Sequence, residues 1–233
     1  NASFFYCISP THLSEEPKVF AFAAATVLFA GMASAQLGIN VGFAPQTYKT
    51  TYTYNGSSTS SSENMTGFFI GANYNINLTG DLGVSVGADY RQNFGTDNDG
   101  LGIGIAGATV ENKRSQSLVD VPILFNYGLK LTDALKLSVF VGPTVSFALA
   151  GNTHSTVTTT VLGASSTTES DNDWYGDNSN RKKLDISGTV GVNVQYNAFR
   201  LFGGYNMGFL NLSDADNTTM KASNWFVGLG YSL

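Results

Sequence analysis

Apolar and polar residues alternate along most of the chain with a period of two, which is the side-chain period of a β-strand. The clearest run has an apolar face made of Phe68, Ile70, Ala72, Tyr74, Ile76 and Leu78. Its opposite face consists of Phe69, Gly71, Asn73, Asn75 and Asn77. Stretches with a helical period of useful length are missing from the sequence downstream of residue 36. The pattern therefore predicts an all-β fold.

The same alternation continues through further runs that short turns connect. After Thr79, Gly80 and Asp81 it resumes at 82–91, so the first two runs predict a hairpin. The remaining runs lie at 119–130, 135–149, 184–196, 199–212 and 220–233, and a first strand covers 37–54. The count is about eight strands, and an even number is typical of single-chain bacterial barrels.

The connections alternate between short and long. Short joins lie at 79–81, 131–133 and 197–198, whereas longer polar segments lie at 55–63, 96–113, 151–180 and 214–219. Short periplasmic turns and long outer loops produce this asymmetry. We therefore predict a closed antiparallel up-and-down transmembrane β-barrel, with both ends of the mature chain on the periplasmic side.

Aromatic residues cluster toward the strand ends on the apolar face. Near the predicted periplasmic rim stand Tyr127, Tyr196, Phe199 and Tyr231, and near the outer rim stand Phe43, Phe68, Phe147, Phe209 and Trp225. Two aromatic belts are typical of a protein that crosses a bilayer. Packing in a soluble β-sandwich core would explain the alternation, but it would not explain two belts.

Residues 18–36 have the features of a secretory signal peptide. Lys18 precedes an apolar run, and Ala33 and Ala35 flank the small-residue site for cleavage before Gln36. The run is too short to span a bilayer as a helix, and a buried core helix is the alternative. We interpret residues 1–17 as a translated upstream stretch or a misplaced start. The prediction is that 1–35 is removed and that 36–233 forms one barrel domain.

Composition narrows the function classes. Only 12% of the 233 residues are charged and 26 are Gly, compared with roughly 25% charged residues in soluble domains. The net charge is −5 and the basic residues are scattered, which argues against nucleic-acid binding. The one cysteine, Cys7, lies upstream of the predicted cleavage site, so we expect neither a disulfide nor a thiolate metal site. No cofactor is expected.

Charged residues on the polar strand faces predict a network inside the barrel. The candidate residues are Asp89, Arg91, Asp120, Lys130, Lys136, Asp185 and Arg200. Both signs are present, and the interior of an eight-stranded barrel is just wide enough for side chains to fill. We therefore predict a plugged lumen and no solute pore.

Two sequence patterns resemble ligand-binding motifs but lack the other residues or elements that those motifs require. Gly102, Gly104 and Gly107 satisfy G-x-G-x-x-G, but the strand–helix unit that this dinucleotide motif needs is missing, so the segment is interpreted as a flexible outer loop. Asp97 and Asp99 match part of a calcium loop. Gly95 and Ala106 stand at essential ligand positions of that loop, which argues against a calcium site.

Surface chemistry in the longest loop is limited. An acidic cluster of Asp171, Asp173 and Asp177 is interpreted as solvated loop charge, with weak divalent-cation binding as the alternative. His154 is the only histidine of the mature chain, so a Ser–His–Asp hydrolytic set would have to combine it with Ser155 and a distant Asp. We favour a polar loop histidine, and therefore a protein that is not an enzyme.

The C-terminus resembles the terminal signal that barrel-insertion machinery reads, with Gly228, Tyr231 and Leu233 at the matching positions. The segments SLVDVPILFNYGLKL, LKLSVFVGPTVSFAL, KKLDISGTVGVNVQY, FRLFGGYNMGFLNL and WFVGLGYSL, with Pro122, Gly142 and Pro143, resemble the PorT-like family of small outer-membrane barrels of Bacteroidota, of the OmpA and OmpX type. This resemblance covers 36–233 and implies a bacterial outer-membrane barrel. Some members of that family assist protein secretion.

The sequence thus favours a non-enzymatic integral outer-membrane barrel that supports the envelope or presents its loops for contacts. Its expected partners are outer-membrane lipid, lipopolysaccharide and the barrel-insertion machinery. Two alternatives stay open at this point. One is a small porin-like channel or a secretion or transport accessory, and the other is a soluble ligand-binding β-barrel with the opposite polarity.

Overall fold

The computed structural model describes residues 35–103, 106–176 and 179–233, and it contains ten strands within them. They are β1 (Ala35–Phe43), β2 (Gln46–Tyr54), β3 (Ser57–Thr79), β4 (Leu82–Ile103), β5 (Ala106–Lys130), β6 (Leu135–Val161), β7 (Ala164–Asp173), β8 (Leu184–Tyr196), β9 (Phe199–Gly208) and β10 (Thr218–Ser232). Strands that are neighbours in the sheet pair with each other in the antiparallel sense. In the described part of the chain, no helix is long and apolar enough to cross a bilayer.

The sheet closes into a ring, because β10 pairs with β9 on one side and with β1 and β2 on the other. β1 and β2 together fill one position in the ring. Phe43 pairs with Val227 and Gln46 pairs with Asn224 in one continuous register, which is interrupted at Pro45 because proline has no N–H for the ladder. β7 lies off the ring and pairs with β6. The ring therefore has eight positions, and the predicted barrel of about eight strands is confirmed.

The polarity of the wall is inverted relative to a water-soluble protein. Outward apolar side chains are largely exposed; for example, the exposed fraction is 63% for Ile70 and 60% for Leu229. Inward polar side chains are buried, for example Arg91 at 4% and Asn93 at 0%. An outer surface of this kind suits acyl chains, and it is the reverse of what a soluble ligand-binding barrel requires.

Three of the four segments predicted as outer loops are largely strand, which corrects that prediction. β2 and β3 are joined by Asn55 and Gly56, and β6 and β7 by Leu162 and Gly163, with positive φ at all four residues, as a two-residue hairpin turn requires. Ser and Thr occupy both faces here, so the amphipathic alternation that identifies a strand in sequence is absent. Cross-strand hydroxyl pairs, such as Thr51 with Ser60 at 2.9 Å, connect these extensions instead.

The glycine-rich segment interpreted as a flexible loop is also part of a hairpin. Gly102 of β4 pairs with Gly107 of β5, and Ile103 pairs with Ala106. Residue 104, the middle glycine of the motif, lies outside the described residues. The direct pairing of Gly102 with Gly107 makes the glycine spacing a feature of hairpin register.

The opposite end of the barrel carries short turns, as predicted. They follow Thr79, Lys130 and Tyr196, and Gly80 and Asn197 adopt positive φ in two of them. Gly38 pairs with Ser232, so the first and last barrel strands meet at this same end. The predicted signal peptide up to residue 34, with Ala33, lies outside the described residues. Ala35, the last residue before the predicted cleavage site, is the first residue of β1.

Candidate functional site

The lumen contains a cavity of about 160 Å³ in the half next to the short turns. Gln36, Asn77 and Asp81, which lie at the short-turn ends of their strands, are among its lining residues. A cavity of this size and polarity holds several water molecules. The cavity extends inward as far as Arg91 and Asp120.

Arg91 and Asp120 form the central layer of the lumen. Arg91 Nε donates to Asp120 Oδ2 at 2.7 Å and Arg91 Nη2 donates to Asp120 Oδ1 at 3.2 Å, a bidentate ion pair across β4 and β5. Arg91 Nη1 also donates to Gln46 Oε1 from β2. Arg91 lines both the larger cavity and a second cavity of about 30 Å³ on the outer side. Its guanidinium therefore stands between the two.

The other predicted lumen charges are placed around this layer. Arg200 Nη2 donates to Asn40 Oδ1 at 2.7 Å and to Asn73 Oδ1 at 2.5 Å. Asp89 stands opposite Asp120 in the β4–β5 register, and Asp185 lines the outer cavity. Each of these two carboxylates keeps one buried oxygen without a hydrogen-bond partner among the described residues.

Lys130 lies apart from these residues, at the rim of the lumen. It is the last residue of β5 and is exposed beside the short turn to β6. It pairs directly with Lys136 in the β5–β6 register, so its side chain lies on the same, inward side of the sheet at the mouth of the barrel. Lys136, opposite Lys130 in the register, is half-buried and lines the larger cavity.

Aromatic rings cross the lumen in a row that the sequence analysis did not identify. Phe69 lies 6.1 Å from Phe202, Phe202 lies 6.3 Å from Phe226, and Phe226 stacks on Phe140 at 6.3 Å. Inward glycines make room for them, since a Cβ at Gly228 would lie 2.6 Å from Phe202 Cζ. The signal that could have revealed this row is the presence of Phe next to Gly on the otherwise polar strand faces.

The remaining residues of the predicted insertion signal lie outside the lumen. Tyr231 faces outward, with its ring 5.2 Å from that of Phe199. Leu233 is 69% exposed and its backbone N–H donates to Leu37 O at 2.8 Å, next to the seam between β1 and β10.

The segment after β7 closes the outer mouth of the lumen. We name its described residues, 174–176 and 179–183, the outer plug. Trp174 is buried against Tyr48, Met65 and Leu212, and its ring meets that of Tyr48 edge-on at 6.5 Å. Its Nε1 donates to Thr153 Oγ1 at 2.7 Å. The aromatic pair Trp174 and Tyr175 in a polar segment is a sequence signal that the loop folds inward.

Arg181 fixes the plug to the wall. Its guanidinium carbon lies 4.1 Å from the Trp174 ring centroid and 5.4 Å from that of Tyr48, and its Nη2 pairs with Glu63 at 3.5 Å. Below it, Tyr48 donates to Gln116 at 2.6 Å and Gln116 donates to Tyr175 at 2.7 Å. Burial raises the pKa of the Tyr175 hydroxyl, which keeps this group neutral.

The candidate hydrolytic residues do not assemble. His154 Nδ1 lies 2.7 Å from Asp171 Oδ1 across the β6–β7 hairpin. Ser155 is the next residue along the strand and faces the other side, where its hydroxyl donates to Asn112 Oδ1 at 2.6 Å. Ser155 is therefore not positioned to transfer a proton to His154.

Acidic residues of both predicted clusters form ion pairs with basic side chains. Asp97 pairs with Arg114 and Asp171 pairs with His154, while Asp177 and the side chain of Asp99 lie outside the described residues. Within the part of the chain that the structure describes, no group of three or more His, Cys, Asp or Glu residues could hold a metal ion.

Comparison with known proteins places the chain in a family. The sequence model described as "Outer membrane protein beta-barrel domain" matches residues 26–214. Among solved structures, the chain is similar to Ail, the attachment invasion locus protein of Yersinia pestis (15% identity, TM-score 0.37, 86% of this chain and 99% of that chain). It is also similar to Neisserial surface protein A (12%, 0.36, 84% and 97%) and to the outer membrane protease OmpT from Escherichia coli (13%, 0.42, 85% and 97%). No curated protein matches the chain. With its closed antiparallel ring and apolar outer surface, the chain belongs to the outer membrane β-barrel domain family and is a protein of the bacterial outer membrane.

Proposed function

We propose that this protein is a non-enzymatic outer-membrane barrel that is closed to solutes and presents its long hairpins for contacts outside the cell. The observation that carries this proposal is the occupation of the lumen by two layers in series. The inner layer is the Arg91–Asp120 pair with Gln46, and the outer layer is the plug around Trp174 and Arg181.

Both layers resist displacement. Breaking a buried ion pair by moving one partner away leaves an uncompensated charge, which costs several kcal/mol. The plug combines buried aromatic area with a cation that is stacked on Trp174 and paired with Glu63. A solute would have to disrupt both layers, so we expect the barrel to anchor its hairpins and not to conduct.

The hairpins supply the surface for contacts. β2–β3, β4–β5 and β6–β7 all extend on the side away from the short turns. β7 is exposed at every residue, and its Ser, Thr and acidic side chains offer hydrogen-bonding and charged groups. Binding residues commonly lie on connections that a rigid scaffold holds in place.

Planar-bilayer recordings test the closed lumen. Purified wild-type protein is expected to show no steady single-channel conductance. The quadruple variant R91A/D120A/W174A/R181A, which removes both layers, is expected to conduct, and K130Q serves as the matched control because Lys130 is exposed at the rim. Folding of each variant is checked by heat-modifiable migration on a gel. Steady conductance of the wild-type protein would overturn the proposal.

The non-enzymatic part of the proposal rests on the separation of Ser155 from His154. Membranes of cells that carry H154A and S155A are expected to have the wild-type lipid profile, and cleavage of added peptides is expected to be unchanged. A loss of lipid modification or of cleavage in H154A would show an enzymatic role.

A secretion or transport accessory is the alternative that one observation favours. The larger cavity reaches residues at the short-turn end, where a periplasmic partner would dock. Pro122 on β5 stands opposite Thr144, next to Gly142 and Pro143 on β6, so the residues that resemble the PorT-like family share one part of the wall. A periplasmic protein that copurifies with the barrel and is lost on substitution of Lys136 and Asp81 would favour this alternative.

A further inference from the structure

Two lysines face each other on the outer surface of the barrel wall. Lys49 of β2 pairs directly with Lys221 of β10, and both side chains are exposed. They lie on the outward face, because Tyr48 and Thr50 on either side of Lys49 are buried in the lumen. Like charges directly opposite on neighbouring strands destabilise a sheet. We therefore expect this lysine pair to bind an anion, which would relieve the repulsion between the two ammonium groups.

No carboxylate among the described residues forms an ion pair with Lys49 or Lys221. Glu63, on the adjacent strand, pairs with Arg114 and Arg181 instead. The outward neighbours on β2, β3 and β10 are hydroxyl or amide residues: Thr47, Thr51, Ser60, Ser62, Asn64, Thr219 and Ser223. On the β9 side, the exposed outward residues are the apolar Met207 and Phe209. The face thus offers two ammonium groups with sugar-compatible hydrogen-bonding groups on one side and apolar side chains on the other.

The lysine pair lies at the level of the barrel wall where lipid headgroups are expected. Phe43, Phe68 and Trp225 form an outward aromatic cluster with centroid separations of 5.4 Å. Lys221 is four residues beyond Trp225 on β10, which is about 13 Å along a strand. With a tilt of roughly 40°, the lysine stands about 10 Å above the aromatic belt. The headgroup layer begins at such a belt.

We propose that Lys49 and Lys221 form a binding site for a phosphate group of an outer-leaflet glycolipid. The two ammonium groups bind the phosphate oxygens from either side, and the hydroxyl rows contact the adjoining sugar. The lipid source is favoured because the lysines stand on the same outward face as the exposed Trp225 and Val227 of the barrel wall. This inference depends on the long hairpins facing outward and is independent of whether the lumen conducts.

Native mass spectrometry of the folded barrel from detergent tests the site. The probes are bisphosphorylated lipid A, its dephosphorylated form and inorganic phosphate. Wild-type protein is expected to retain lipid A, and K49Q/K221Q is expected to bind it about thirtyfold more weakly, since each of the two lysines near an anionic surface contributes on the order of 1 kcal/mol. K49R/K221R keeps both charges and is expected to retain it. K113Q/K130Q removes the same charge from other exposed positions and is the matched control.

Several results would overturn the proposal. Equal retention of lipid A by K49Q/K221Q and wild type excludes the site, and so does an equal loss in K113Q/K130Q. Equal binding of the dephosphorylated lipid shows that phosphate is not recognised. Displacement of lipid A by an equal concentration of inorganic phosphate shows a site for a free anion and not for a lipid.

Discussion

Single residues decide how the lumen is filled. Alternation places Asp89, Arg91, Asp120, Asp185 and Arg200 on the inward face, and the structure brings Arg91 and Asp120 into contact. Their neutral partners, such as Gln46, could not be predicted, because alternation assigns a face and not a cross-barrel neighbour. Alternation also does not give the depth of a side chain, since Lys130 shares the inward side of the sheet with Lys136 but is exposed at the rim.

Substitution of Asp120 tests the central ion pair. D120A leaves the Arg91 guanidinium buried without its carboxylate, so we expect a loss of about 3 kcal/mol in the free energy of unfolding. Urea titration in lipid vesicles measures it. K130A, at an exposed position, is expected to change stability by less than about 0.5 kcal/mol. Equal unfolding midpoints for D120A and wild type would contradict the role assigned to the pair.

At the scale of elements, the strands within the wall were predictable and their extensions were not. The run 68–78 is amphipathic because one side meets lipid and the other meets the lumen. Beyond the wall both faces of β2, β3, β6 and β7 meet water, so Ser and Thr occupy both and the period disappears. The inward fold of the plug was also hidden, because it depends on a long-range contact between Trp174 and Tyr48.

The β6–β7 hairpin is expected to be dispensable for the barrel. In the described part of the chain, residues 157–168 at its tip pair only with each other and with the end of β5, and most of them are exposed. Replacing them by a two-residue Asn-Gly turn is expected to leave the unfolding midpoint in vesicles unchanged. W174A is the contrasting variant, because it removes a buried side chain from the plug and is expected to lower that midpoint. If the truncated variant had an unfolding midpoint as low as that of W174A, the hairpin would contribute to barrel stability and the prediction would be wrong.

Tyr231 near the end of β10 and Leu233 directly after it are proposed to be recognised by the barrel-insertion machinery during assembly. Tyr231 and Leu233 are exposed on the outer face and fill no core position, so Y231A with removal of Leu233 is expected to leave refolding into vesicles intact. The same variant is expected to lower the amount of folded barrel in the outer membrane of cells several-fold. Folded protein is quantified by heat-modifiable migration. Equal losses in vesicles and in cells would indicate a structural role alone.

For the whole molecule, the central claim is that the wall is inverted, with apolar side chains against acyl chains and polar ones inside. Val139 and Ser138 are neighbours on β6 that are 52% and 6% exposed and face opposite sides. In a C7S background, V139C and S138C carry a fluorophore into vesicles whose lipids bear bromine on the acyl chains. The account predicts strong quenching of the label at 139 and little at 138. Strong quenching at 138 with little at 139 would contradict it.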